Sequence, residues 1–243
     1  VAGEGKSKDI RVHPMKCLIL AGGFATRLYP LTISRAKALL EYKGKPIINH
    51  IVDNIPPNID IMVSVNKKFE SDFSLWQQGL GREVEMLIEG ALSEGQKLGA
   101  LSSLSYWIES RSIGEDLLAI AGDNYFEFDL AQFIARYDNK HTLVAVYDIG
   151  DKDKANQFGV VQLEGYRIAE FQEKPASPES SLVATACYIF PRRIFPLLHQ
   201  YCQQGKRDNL GSFIAYLIDR DEVHAYTFTE PWLDIGGIDN YIK

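Results

Sequence analysis

The stretch that decides the fold class runs KCLILAGGFATRL, from Lys16 to Leu28. Residues 16–21 are a short apolar run, as expected of a parallel strand buried on both faces. Gly22 and Gly23 follow at once. Glycines there let backbone N–H groups approach phosphate oxygens, and a nest of such groups favours anions. Arg27 adds a planar, permanently charged fork that suits a triphosphate. Lys37, in SRAKALL (34–40), supplies a point charge suited to a developing pyrophosphate. A lone Gly-Gly after a strand reads as a tight turn with solvated cations. Gly-Gly, Arg and Lys at this spacing read as a phosphate loop, with Leu20, Ala21, Gly22, Gly23, Phe24, Ala25, Thr26 and Arg27 as its nucleotide-binding residues. A dinucleotide-binding loop fits less well. The G-x-G-x-x-G pattern is unmet, and no acidic residue ends the second strand, which runs into Val65-Asn66-Lys67. A Walker loop is unmet too, because no Gly-Lys-Ser/Thr follows.

Outward from this loop, strand-like and helix-like segments alternate. Ile48, Ile51, Val52 and Ile55 follow helical spacing, with Pro46 placed for the first turn. Residues 61–65, 84–88, 117–121 and 142–147 read as strands, and 69–80 and the Leu98–Ile108 stretch as helices. Asp129 is placed to cap a helix whose apolar face is Leu130, Phe133, Ile134 and Tyr137. This order predicts an α/β protein, three layers α/β/α around a mostly parallel central sheet. After residue 150 the pattern changes. Residues 158–163 and 167–171 flank Glu164-Gly165-Tyr166 as a hairpin, read as an inserted lid region. Residues 183–190 and 223–228 read as strands, and 194–202 and 213–218 as helical. One domain over 15–243 is the simplest account, preceded by a loose leader or remnant over 1–14. The stop nine residues after Asp234 leaves an expectation of no room for a second activity.

The bulk numbers exclude several classes. The 243 residues carry a net charge of -6, whereas a duplex nucleic-acid binder shows a basic excess. No apolar run reaches the roughly 20 residues a membrane-spanning helix needs, and the polar start is no signal peptide. Cys17, Cys187 and Cys202 are odd in number and lack metal spacing, which predicts buried, reduced thiols in a cytoplasmic protein.

Asp123, in LAIAGDN (118–124), stands just past the carboxyl end of a strand, the edge where open α/β sheets bind ligands. Asp234, in WLDIG (232–236), follows the last strand. Either aspartate alone could be a cap or turn residue. Together, converging on a phosphate loop, the two could hold Mg²⁺, which prefers a few carboxylates with phosphate oxygens and water.

The ordered set GGFATRLYPLT, AKALL and GKP (from Gly22 to Pro46) resembles the signature of the nucleoside-diphosphate-sugar pyrophosphorylases. It departs at Ala25, where glycine is usual, and at Ala36, where proline is usual. The resemblance covers essentially residues 15–243. It implies a Rossmann-like nucleotidyltransferase fold and a single in-line displacement by a sugar phosphate on a nucleoside triphosphate. It implies Arg27, Lys37 and Lys174 as catalytic residues and Asp123 and Asp234 as Mg²⁺ ligands. Glu173-Lys174-Pro175 matches a motif facing the sugar phosphate, and Gly159 a glycine at which the backbone meets the sugar. Tyr188 and Trp232 join them as candidate sugar-phosphate residues. Ala186 stands where many members have glycine. The segment EGQKLGA (94–100) resembles the base-recognition region, which leaves Glu94 and Gln96 open between base contacts and ordinary helix-start polar residues, with Gly99 beside them. The closest pattern is that of the glucose-1-phosphate thymidylyl- and uridylyltransferases, implying dTTP or UTP with glucose 1-phosphate. The competing readings are a catalytically silent nucleotide-sugar-binding regulator and a glycosyltransferase of related fold. The latter usually needs a D-x-D motif, and here only Asp151-Lys152-Asp153 offers one, in a polar loop.

Overall fold

A computed structural model describes residues 14–205 and 209–235. The expected leader, apart from Pro14, and Gly236 of the WLDIG segment lie outside the described residues. In chain order the elements are β1 (Met15–Leu20), β2 (Glu41–Tyr42), β3 (Lys45–Pro46), α1 (Ile47–Asn54), β4 (Asp60–Asn66), α2 (Glu70–Gln78), β5 (Glu85–Glu89), α3 (Ala100–Ser110), β6 (Asp116–Ala121), β7 (Asn124–Phe126), α4 (Leu130–Ala135), β8 (Thr142–Asp148), α5 (Lys152–Ala155), β9 (Gly159–Glu164), β10 (Arg167–Glu173), β11 (Leu182–Phe190), α6 (Phe195–Gln203), α7 (Leu210–Ile218), β12 (Val223–Phe228) and β13 (Trp232–Asp234).

The main sheet runs β5-β4-β1-β6-β11-β8-β12-β10-β9. Its first half is parallel, with β1 between β4 and β6. The expectation of a mostly parallel sheet needs correction, because β11 enters antiparallel between β6 and β8, and β9 and β10 are antiparallel as well. The sheet is mixed. The hairpin is not an inserted lid either. Strand β9 pairs with both β10 and β11, so β11-β8-β12-β10-β9 closes into a ring continuous with the sheet. An exposed lid would leave an unpaired edge, and the ring removes it.

Side-chain alternation along β1 sorts the core. Cys17 and Ile19 pack with Ile48, Ile51 and Val52 of α1 and Phe133 of α4. Leu18 points the other way, into a cluster with Leu101 and Leu104 of α3 and Phe213 and Leu217 of α7. Helices therefore cover both faces, which explains why the strand sequences are apolar throughout. Asp129 caps α4 as expected, its carboxylate accepting from the Ala131 N–H at 2.7 Å. Tyr137 lies just past that helix, and its hydroxyl donates to the buried Asp116 at 2.8 Å. Cys17 and Cys187 are buried and free, and burial pushes both thiols far above their ordinary range. Among the described residues, no helix is long and apolar enough to cross a membrane.

Candidate active site

Two clefts open along the carboxyl edge of the sheet, and they meet at Asp123. The first holds about 240 Å³ and is lined by Leu20, Ala21, Gly22, Gly23, Lys37, Ser64, Glu89, Lys97, Gly99, Ser103 and Asp123, among others. Neighbouring strand ends build it. The Ala21 N–H donates to Ser64 O at 2.8 Å, and the Gly122 N–H to Leu20 O at 2.9 Å. A Cβ on Gly122 would stand 3.1 Å from the Ala21 Cβ and 3.2 Å from Leu20 O, so a larger residue would push the β1 and β6 ends apart by a few tenths of an ångström. The loop after β1 is held from behind. The Asn66 side-chain amide donates to Gly22 O, and the buried Thr32 hydroxyl donates to Ala25 O at 2.7 Å. Ala25 is left-handed, with φ 48° and ψ 47°. That is where an L-residue with a Cβ is strained and glycine is not. Ala36 is buried and extended at φ -64°, ψ 140°, a conformation proline adopts freely.

The second cleft, about 230 Å³, is lined by Asp123, Gly159, Glu173, Lys174, Ala186, Tyr188, Asn209, Trp232 and Asp234, among others. Here the spacing depends on glycines that admit a side chain. A Cβ on Gly159 or on Gly211 would come within 3.0 Å of the Phe171 ring, and one on Gly211 would also collide with the Glu173 carboxylate. The Glu173 side chain therefore lies against the start of α7, where Asn209 caps the helix by accepting from the Gly211 N–H at 2.7 Å. Lys174 has φ 46° directly before a proline, a strained backbone for any residue with a side chain. Its N–H donates to Phe158 O at 2.9 Å, which holds it there. Ala186 is also left-handed, φ 54°, at the register shift where β11 changes its pairing with β8. Trp232 packs edge-on against Phe158 at 5.2 Å between ring centroids.

The seam between the clefts carries the charge. Strand β13 pairs with β7 so that Asp234 lies opposite Asn124, and the Ile235 N–H donates to Asp123 O at 3.3 Å. Asn124 is buried, donates to Thr185 O at 2.8 Å and accepts from the Trp232 indole at 3.1 Å, which ties the turn bearing Asp123 to the second cleft. Lys37 Nζ donates to Asp123 Oδ2 at 2.7 Å. The Asp234 carboxyl is pushed up to about 6, first by burial and then by the charge of Asp123; Lys37, Lys174 and Arg27 partly offset this. The charge of Asp123 acts on Asp234 in this way because the two side chains converge on the same space. Two converging hard oxygen donors fit a hard divalent cation.

Most of the predicted residues are gathered here. Leu20 to Gly23, Lys37, Gly99 and Asp123 line the first cleft, and Gly159, Glu173, Lys174, Tyr188, Trp232 and Asp234 the second. Arg27 is exposed and close enough to Asp234 to act on its charge. Phe24 is buried against Phe69, with ring centroids 5.8 Å apart, so its side chain anchors the loop. Glu94 does not line the first cleft, and Gln96 lines an adjoining hollow that shares Glu89 with it. Glu94 pairs with Lys97 at 2.5 Å, and Gln96 Oε1 accepts from the Leu92 N–H at 2.9 Å. The first cleft's wall is instead Glu89, with Ser64 donating to it at 2.5 Å and Trp107 donating to Ser64 at 2.8 Å. Sequence reasoning missed Glu89, Ser64 and Gly211. The available signal for Glu89 was its place at the carboxyl end of a parallel strand, the same cue that singled out Asp123.

The sequence profile of the nucleotidyl transferase family matches residues 16–243, and the chain belongs to that family. It is 31% identical to the bifunctional protein GlmU of Methanocaldococcus jannaschii over 226 residues, covering 91% of this chain and 51% of that one. It is 26% identical to a provisionally named mannose-1-phosphate guanyltransferase of Sulfolobus acidocaldarius, covering 94% and 62%. The chain thus spans about half to three fifths of the length of these curated relatives. A crystal structure of a provisionally named glucose-1-phosphate thymidylyltransferase from Bacillus anthracis superposes with a TM-score of 0.79 at 25% identity, covering 93% of this chain and 92% of that one.

Proposed function

We propose that the chain is a sugar-1-phosphate nucleotidyltransferase. The observation that carries this reading is the pair of clefts sharing Asp123, one lined by the glycine loop and Lys37, the other by Glu173, Lys174 and Asp234. A phosphate oxygen of the sugar 1-phosphate attacks the α-phosphorus of a nucleoside triphosphate. The bond from the α-phosphorus to the α–β bridging oxygen breaks, and pyrophosphate leaves. The nucleophile is already anionic, so no covalent enzyme intermediate is needed. The protein's share is positioning and charge stabilisation.

In this reading the backbone of Gly22 and Gly23 receives the triphosphate, and Arg27 and Lys37 neutralise the departing phosphates. Lys174 neutralises the incoming phosphate, while Glu173 accepts hydrogen bonds from sugar hydroxyls. Asp123 and Asp234 would hold Mg²⁺, which when bound supplies Lewis-acid stabilisation of phosphoryl charge. The strained Lys174 backbone supports this assignment, because strain persists where the surroundings impose one orientation on a side chain.

For the substrates, dTTP or UTP with glucose 1-phosphate is the first choice, on the resemblance of the motifs. Glu89 favours a second reading. A carboxylate only accepts hydrogen bonds, and guanine offers two adjacent donors on one edge where uracil and thymine offer one flanked by acceptors. The experiment supplies Mg²⁺, each of the five common nucleoside triphosphates and a panel of hexose 1-phosphates, and identifies the nucleotide sugar formed. Fastest turnover with dTTP or UTP supports the first choice. Fastest turnover with GTP, weakened at least tenfold by Glu89→Gln, supports the second. Faster turnover with ATP or CTP for every sugar phosphate removes both.

A further inference from the structure

At the opposite edge of the sheet three side chains meet that the reaction does not use. Asp138 lies in the turn after α4, His141 immediately before β8, and His224 at the second position of β12. Strands β8 and β12 are parallel neighbours, with His224 beside Leu143. Strand β8 also runs parallel to β6, since each is antiparallel to β11 between them. Their amino ends therefore lie away from Asp123, a strand's length or roughly 20 Å distant.

One ligand atom from each of the three residues lies within 4.8 Å of the others. His141 Nδ1 is 2.6 Å and His224 Nδ1 3.7 Å from Asp138 Oδ2. Donors around a tetrahedral zinc-class ion, at about 2.0–2.2 Å from it, stand about 3.3 Å apart, a spacing that falls between the two Asp138–histidine distances. The second layer is already in place. Asp138 Oδ1 accepts the backbone N–H groups of Lys140 at 2.9 Å and His141 at 2.8 Å, which turns Oδ2 toward the cluster. Glu222 Oε1 lies 2.7 Å from His224 Nε2. A carboxylate there selects the tautomer with the proton on Nε2 and a lone pair on Nδ1, facing Asp138, as histidine ligands of metals are held. The edge of the Tyr166 ring system meets His224 at 4.8 Å between centroids and fixes its plane.

Charge and access agree with a dication. Asp138 and Glu222 carry two negative charges; Arg167 and Arg193 are paired with Glu164 and Asp221, and Arg136 lines the adjoining cleft from an exposed position. A cleft of about 490 Å³ lies alongside, lined by Arg136, Asp138, Tyr166, His224, Tyr226 and Thr227 among others, which gives water or a small ligand access to a fourth position. Two imidazoles and one carboxylate suit zinc, cobalt or nickel better than the magnesium that two aspartates would hold.

We propose that Asp138, His141 and His224 bind a zinc-class divalent cation, separate from the catalytic carboxylates, and that the ion ties the turn after α4 to β12. The alternative is a metal-free hydrogen-bonded clasp made by the same groups. The two are separated by titrating the EDTA-stripped full chain with Co²⁺ and with Zn²⁺ while excess Mg²⁺ occupies the catalytic carboxylates, reading visible absorption and thermal midpoint. The proposal expects one tightly bound Co²⁺ with d–d bands of a four- or five-coordinate nitrogen–oxygen site, and a midpoint raised by Zn²⁺. His141→Ala and His224→Ala should each weaken binding at least a hundredfold. Glu222→Gln, an exposed change that keeps the fold, should weaken it about tenfold. Asp123→Asn should leave the Co²⁺ spectrum intact. Absence of bands in the wild-type chain, or bands that vanish in Asp123→Asn and persist in Glu222→Gln at full affinity, overturns the proposal.

Discussion

The two clefts that meet at Asp123 are built in different ways. The first is made of backbone at the ends of parallel strands, with the β1 and β6 turns hydrogen-bonded to their neighbours and a glycine loop held by Asn66 and Thr32. The second is made of side chains delivered by β9, β10, β11, β13 and the start of α7, and glycines at 159 and 211 leave room for Phe171 and Glu173. A triphosphate needs many N–H donors in a row, which in the proposed reading one loop would supply. A sugar has hydroxyls on all sides, so the groups that orient it must come from several elements. Each half contains one alanine held in a left-handed backbone, Ala25 and Ala186.

Asp123 lines both clefts and Asp234 the second, and at these two carboxylates the largest effect is expected. Asp123→Asn and Asp234→Asn should each lower turnover about a hundredfold or more, the several kcal/mol a bound metal supplies, with circular dichroism unchanged. A near-normal rate at limiting Mg²⁺ in both variants would remove the metal assignment. The wild type should approach the Asp234→Asn behaviour in acid. Burial and the charge of Asp123 push Asp234 up to about 6, so its charge is lost as pH falls through that value, and under the proposed metal assignment Mg²⁺ affinity falls with it. The sign for the metal-free protein is opposite. A carboxyl raised above its unfolded value adds stability as pH drops from about 6 toward the ordinary carboxylate range, because the proton removes a buried charge and then relieves the repulsion from Asp123.

The next effect should divide the halves. Arg27→Ala should raise the KM for the nucleotide and Lys174→Ala that for the sugar phosphate, each by roughly ten- to hundredfold for a lost charge-assisted contact of about 1.5–3 kcal/mol. Initial rates with one substrate saturating and the other varied test this, and the reverse assignment would show that the clefts are exchanged. Gly211→Ala sharpens the contrast. Alanine favours the helix, yet its Cβ collides with Glu173, so the sugar-phosphate KM should rise about tenfold while the nucleotide KM stays within twofold. Equal changes in both constants would mean that Glu173 is not specific to the second cleft. Smallest of all, Ala25→Gly and Ala186→Gly should each stabilise the fold by about 1 kcal/mol or less, the left-handed strain relieved minus the extra freedom of the unfolded chain, as read by urea denaturation.

The same contrast explains what was legible in the sequence. Strand β1, its glycine loop and Asp123 are local patterns, and all lie where the apolar run and the strand-end rule put them. The reversal of β11 was not legible, because an apolar strand such as LVATACYIF reads alike in a parallel or an antiparallel neighbourhood. Strand β13 has three residues, too few for any period, so Asp234 read as a residue after the last strand although it is paired with β7. Glu94 and Gln96 drew attention by sitting in a recognisable segment, but each is bonded within its own turn. Glu89 stands in no motif and was marked only by its place at a strand end, and Gly211 comes to the site only through the fold.

In the proposed reaction one site joins a nucleotide to a sugar phosphate across the seam at Asp123. The most direct measurement is pyrophosphate release from the purified chain with Mg²⁺, with nucleoside triphosphate and hexose 1-phosphate supplied separately and together. The account predicts release only when both are present, in equal amount to the nucleotide sugar formed, and loss of both products in Asp123→Asn. Tight binding of a nucleotide sugar with no pyrophosphate from any pair, or transfer of its sugar to an acceptor, would contradict it.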